Sequence, residues 1–158
     1  MKQNVFISSF DLEIGGVERS LLSMLEHFNY DLYNVDLLLY RQKGELLPLL
    51  NDKPVLLHEI PHYATFRKSV GEIIRERYYT IACSRIVSKL SATILGKLNN
   101  VSEPGFYQMQ LMWKFAMPFM PKLEKKYDVA ISYLWPHYFV AEKITARKKI
   151  AWIHTDYS

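Results

Sequence analysis

Two adjacent glycines, Gly15 and Gly16, lie between an apolar run, Asn4 to Ser9, and a helical pattern that opens at Val17. Glycine lets the backbone turn with positive φ and come close to a ligand without a β-carbon in the way. The first turn of the following helix offers unpaired N–H groups and a partial positive charge. Together these suit a phosphate, although two glycines also serve simply to make a turn. Glu18 and Arg19 fall in that first turn. Glu18 meets the helix dipole favourably with no further role required, whereas Arg19 either reaches a phosphate or acceptor or is a solvated side chain. Near the other end of the chain, His154 follows the apolar run Lys149 to Ile153 and precedes polar residues. That order puts an imidazole at the C-terminal end of a strand, as a ligand contact or as a surface residue. Asp156 either orients it or caps a following helix, and the cap is the simpler reading.

Several chemistries are disfavoured by what the sequence lacks. The dinucleotide fingerprint needs Gly-x-Gly-x-x-Gly directly after the strand, and here one glycine pair follows six residues after Ser9. The second strand closes on Tyr40 and Arg41 rather than on an acidic residue, and no Gly-Lys-Ser/Thr follows the glycines, so bound NAD or ATP is not expected. Cys83 is the single cysteine, which excludes an intramolecular disulfide and leaves no Cys/His set with zinc spacing. It has no obvious histidine partner, and we assign it no chemistry. No metal and no resident cofactor are expected. The N-terminal apolar stretch is too short for a secretory signal, and no run approaches the roughly 18 to 20 apolar residues of a membrane span. These features suit a cytoplasmic protein, peripheral at most on the inner face of the cell membrane.

Charge is uneven along the chain. The formal net charge is +4, yet residues 67–98 carry seven basic residues (Arg67, Lys68, Arg75, Arg77, Arg85, Lys89, Lys97) against Glu72 and Glu76. A basic amphipathic helix can lie on an anionic membrane surface; it can equally be a core-facing helix with a basic outer side. A dense set of aromatic and methionine residues from Phe106 to Met120 could line an acceptor or lipid groove, with core packing the commoner fate of such side chains. No RNA-binding or helix-turn-helix pattern accompanies the basic residues, so nucleic acid is not an expected partner.

The elements that must position these residues read as follows. With 49% hydrophobic and 23% charged residues, the 158-residue chain fits one globular domain. Strands are expected at Asn4–Ser9, Tyr33–Tyr40 and Val55–Ile60, with a helix over 17–29 and a short one over 44–51. The two dozen or so residues between the first two strands suit a right-handed parallel crossover. The pattern β-α-β-α-β is half of a doubly wound sheet. From Arg67 to Leu98, Val70, Ile74, Tyr78, Ile81, Ile86, Leu90, Ile94 and Leu98 track a drifting apolar face of one long helix or two abutting ones. A turn at Asn99-Asn100 and Pro104-Gly105 leads to a helix from Phe106 to Lys126, bent or broken at Pro118 and Pro121. A strand at Tyr127–Tyr133, a short helix from Pro136 to Thr145 and a strand at Lys149–Ile153 complete the reading. No helix follows the last strand, so the chain is expected to be a fragment of a longer protein.

The segment Ile7 to Leu22, with Gly-Gly-Val-Glu-Arg at 15–19, resembles the opening strand, glycine loop and first helix of family 4 glycosyltransferases of the GT-B fold. Tyr127 to Tyr133 and Lys149 to Asp156 are similar to two later strand segments of that family, the second carrying its histidine; residues 62–125 match no motif of it. The resemblance implies an α/β, Rossmann-like N-terminal domain spanning 1–158, with a long helical insertion, ahead of a second domain that holds the nucleotide-sugar. It implies transfer of a hexosyl group, with retention, from a nucleotide-sugar donor to a glycan or lipid-linked acceptor in cell-surface polysaccharide synthesis. Gly15 and Gly16 would approach the donor diphosphate or reacting sugar, and His154 would lie beside that sugar. Such a fragment alone would be inactive. The rival reading is a non-enzymatic Rossmann-like module that docks on a membrane or partner.

Overall fold

The computed structural model describes residues 2–98, 104–134 and 136–154, apart from the side chains of Lys97 and Phe106. The expected Asn99-Asn100 turn and the Asp156 cap lie outside the described residues. The chain divides into two compact units, Met1–Ala64 with Lys122–Ser158, and Thr65–Pro121.

The first unit is a Rossmann-like α/β layer structure. Its described residues form a five-stranded sheet in the order β3-β2-β1-β4-β5, every pairing parallel. β1 (Gln3–Ser9) and β2 (Tyr33–Leu39) are buried along most of their length, as continuous apolar runs in parallel sheets must be. Between them α1 (Gly16–Glu26) lays Leu21 and Leu25 on Val5, Ile7, Val35 and Leu37. It ends three residues earlier than its periodicity predicts, because His27 closes it with its backbone N–H and side chain on the Ser23 carbonyl. The opposite sheet face carries an aromatic cluster in which Tyr63 of α2 (Pro61–Ala64) packs on Tyr40 and on Phe139 of α6 (Tyr138–Lys143). β4 (Lys126–Ser132) and β5 (Thr145–Ala151) flank α6 in sequence.

β3 is the main departure from expectation in this unit, reduced to Val55–Leu56 at the sheet edge. Leu57 still donates to the Leu37 carbonyl, but its own carbonyl accepts from the Gln42 side chain, and the Glu59 carboxylate accepts from the Gln42 backbone. These side chains replace a strand ladder until Pro61 opens α2. The expected short helix at 44–51 is a single 3-10 turn, Leu47–Leu49.

In the second unit, α3 (Val70–Arg75) and α4 (Tyr79–Leu98) are two abutting helices, the second of the two arrangements expected for this stretch. Ser69 and Glu72 form a reciprocal cap at the start of α3, and Arg77, at φ 67°, breaks the run. α5 (Pro104–Ala116) follows, starting on the proline that was expected in a turn. Its Trp113 is buried and stacks on Phe66 at 3.4 Å between ring centroids. A 3-10 turn at Met117–Phe119, with Pro118 in it, ends the helical stretch well before Lys126.

Beyond Ile81 and Ala82, which are buried, α4 packs through its small residues. Ser84, Ser88 and Ala92 are buried, and the two serine hydroxyls donate to the carbonyls of Ile81 and Arg85. These small side chains recur every four residues and let helices approach closely; α4 and α5 pack on each other. Of the expected apolar face, Ile81 is buried, whereas Ile86, Leu90, Ile94 and Leu98 are exposed, with Leu90 and Ile94 each 60% accessible.

Candidate functional site

The five parallel strands set the site's address. β1 connects to β2 on one side and β4 to β5 on the other, with α1 and α6 on opposite faces. Adjacent parallel strands whose connections diverge in this way leave a crevice beyond their C-terminal ends, where α/β proteins hold ligands. Here that crevice lies between β1 and β4.

The glycine pair sits on the β1 side of it. Gly15 caps α1 with φ −164°, extended backbone open to any residue, and Gly16 is the first helical residue. Positive φ is therefore not why glycine occurs at either position, contrary to expectation; Gly44, at φ 124°, has it instead. What the pair supplies is room. A β-carbon on Gly16 would meet nothing within 4 Å, and the nearest atoms to one on Gly15 are those of the Glu18 carboxylate, which folds back over the cap. The loop before the pair is anchored from below. Arg41 donates to the Phe10 carbonyl, Leu12 donates to that of Lys43, and Leu46 donates to that of Leu12. Gly44 makes this possible, since a β-carbon there would fall about 2.0 Å from the Leu12 carbonyl carbon.

Tyr133, one residue beyond β4, occupies the centre. Its backbone N–H donates to Ser8 at the end of β1, and its hydroxyl lies 2.8 Å from the Ser20 hydroxyl on α1, one helical turn past Gly16. Its ring packs on Trp152 and on His154, at 5.1 and 4.7 Å between centroids. His154 Nε2 donates to the Tyr133 carbonyl at 2.7 Å. A carbonyl only accepts, so the neutral imidazole carries its proton on Nε2 and presents the Nδ1 lone pair elsewhere. The glycine-loop helix and His154 are thereby tied to the same residue. Ser9, at the end of β1, is buried, and its hydroxyl has no hydrogen-bond partner among the described residues.

A second imidazole stands nearby. His137 Nδ1 and the Ser132 hydroxyl share a 2.8 Å hydrogen bond, and that hydroxyl donates to the Leu134 carbonyl. Burial, and secondarily the charge of His154, holds the His137 imidazole below its ordinary range, which favours the neutral form. Among the described residues no three His, Cys, Asp or Glu side chains cluster as metal ligands would.

Arg19 points elsewhere. It is exposed and lines a cleft of about 500 Å³ with Leu22, Ser23, Glu26, Leu46, Leu49 and Asn51, a set that includes neither glycine and not His154. Successive helical residues are about 100° apart, so Ser20 rather than Arg19 turns to Tyr133. The sequence reading did not single out Tyr133, Ser20, Trp152 or His137. The available signal was Tyr133 closing an apolar run, with a hydroxyl residue one turn beyond the second glycine. No family model matches this chain, and neither a curated protein nor a solved structure matches it.

Proposed function

We propose that the chain is the acceptor-side half of a GT-B glycosyltransferase that moves a hexosyl group from a nucleotide-sugar to a glycan or lipid-linked acceptor. One observation carries the reading: the glycine loop and His154 share the C-terminal rim of one parallel sheet, and the helix that the loop opens is joined to His154 through Ser20 and Tyr133. Gly15 and Gly16 leave the main chain at the start of α1 open to a close-lying anion or sugar, and the helix N–H groups favour negative charge there. A diphosphate arriving at that point would displace the Glu18 carboxylate from over Gly15. His154, fixed in its Nε2–H tautomer, offers Nδ1 as an acceptor to a sugar hydroxyl. The reading assigns the nucleotide to a second domain, so this half alone binds and orients without turning over.

The test is sugar transfer by the complete protein and its His154→Ala variant. We expect kcat/KM to fall by roughly ten- to a hundredfold, the worth of one or two hydrogen bonds to the reacting sugar. Turnover at the parental level would remove His154 from the reaction.

The second reading is a docking module without transferase activity, favoured by the exposed aliphatic row of α4. Vesicle binding by the complete protein with no nucleotide-sugar turnover would select it.

A further inference from the structure

Past Ile81, which is buried, α4 turns its small residues Ser84, Ser88 and Ala92 inward and its large aliphatic residues outward. Ser88 is 1% exposed, whereas Tyr79, Ile86, Val87, Leu90, Ile94 and Leu98 run along the uncovered side of α4. At the α3 end this row opens into an apolar cleft of about 420 Å³, walled by Tyr79, Cys83, Val87, Phe115 and Phe119. Contiguous exposed apolar surface of this kind marks an interaction site.

The charges around it identify the partner. Arg75, Arg77, Lys89 and Lys114 are exposed, and no acidic residue occurs from Arg77 through Ser102. Two copies meeting through this face would bring like charges together. An anionic partner with an apolar interior would satisfy both features. No described helix is long and apolar enough to cross a membrane, and the cations on α4 require it to lie flat. Not every cation expected to serve is available: Lys68 pairs with Glu76 at 2.7 Å, and Arg85 donates to the carbonyls of Thr65 and Lys68.

We infer that the outward row of α4, with the cleft at Phe119, docks on the surface of an anionic lipid bilayer. The aliphatic side chains enter the boundary between headgroups and acyl chains while Lys89 and its neighbours meet lipid phosphates. This holds under either functional reading, because it uses none of the residues at the Tyr133 crevice.

The experiment uses the complete protein and vesicles of equal parts phosphatidylglycerol and phosphatidylcholine. Cys83, the only cysteine in the chain and exposed on the docking side, takes an environment-sensitive thiol fluorophore. Expected are co-sedimentation that weakens with added salt, a blue-shifted label on binding, and at least tenfold weaker binding for Leu90→Ser with Ile94→Ser. Those positions are exposed, so circular dichroism should be unchanged; Leu49→Ser, an exposed apolar site in the other unit, should bind like the parent. Absence of vesicle binding, equal binding to phosphatidylcholine alone, or an undiminished double variant would each overturn the inference. So would a dimer that the double variant dissolves without any lipid binding, which would assign the row to a second copy. Sugar transfer is measured separately, so failure here leaves the transferase reading standing.

Discussion

At the scale of single residues, the glycine pair makes the sharpest distinction between a structural and a ligand-facing role. Gly16 has open space where a β-carbon would go and no backbone conformation that requires glycine. Gly16→Ala should therefore leave the urea midpoint unchanged or raise stability by up to about 1 kcal/mol, through a less flexible unfolded chain. If a substrate approaches that main chain, the same variant should lose on the order of a hundredfold in kcat/KM, as a small displacement of a bound substrate does. Loss of stability together with activity would return the pair to a turn-making role. Tyr133 invites a complementary change. Tyr133→Phe keeps the ring packing on His154 and Trp152 but breaks the contact to Ser20. It should cost about 0.5–1.5 kcal/mol and lower kcat more than it changes KM, since α1 and His154 lose their common tether. An unaltered kcat would make the Ser20 contact a packing detail.

At the scale of elements, the loop between β1 and α1 owes its course to a segment some thirty residues later in sequence. Gly44 turns the chain in the left-handed region directly beneath Leu12, where a side chain has no space. Gly44→Ala should destabilise by at least about 1–3 kcal/mol, read from urea unfolding, and should weaken ligand binding at the glycine pair even where the fold survives. A neutral Gly44→Ala would mean that the loop can settle elsewhere. α4 teaches a different lesson. Hydrophobic periodicity identifies a helix and its apolar side, but the packed side is chosen by what permits close approach. In α4 that side is the row of Ser84, Ser88 and Ala92.

At the scale of the molecule, the first unit is held by a sheet whose two faces differ. One carries aliphatic packing under α1, the other an aromatic layer with polar groups set into it. Asp36 is buried in that second layer, accepting from Lys125 at 2.7 Å and from the Tyr127 hydroxyl at 2.8 Å. Burial pushes the hydroxyls of Tyr40, Tyr63 and Tyr127 well above the ordinary tyrosine range, with Asp36 adding to the effect on Tyr127. The raised values mean that the folded state keeps these protons after the unfolded chain has lost them. Their contribution is complete below the ordinary value of about 10 and declines as pH rises past it. Urea midpoints should hold steady from about pH 8 to 10 and then fall, each buried hydroxyl steepening the decline by up to about 1.4 kcal/mol per pH unit. Tyr127→Phe should flatten that decline while lowering stability at neutral pH by about 1.5–3 kcal/mol, the worth of a hydrogen bond to a charged group. A midpoint independent of pH across this range would contradict the burial of these hydroxyls.

Local composition alone determined that this is an α/β protein with parallel strands. Apolar runs such as Asn4–Ser9 and Tyr33–Tyr40, separated by a glycine loop and a 3.6-residue pattern, leave few other arrangements; β1, α1, β2 and β4 formed near their expected positions, while β5 begins four residues earlier than its apolar run, at Thr145. His154 could be assigned to a strand end for the same reason. What joins His154 to the glycine loop was decided only in three dimensions, because Tyr133 and Ser20 are 113 residues apart and meet through the β1–β4 pairing. The same holds for the shortening of β3, which depends on Gln42 and Glu59 capturing its backbone. The exposure of Leu90 and Ile94 followed from which row of α4 allows α5 to approach. Periodicity records the chemistry of each side of an element; burial is settled by the neighbour that packs against it.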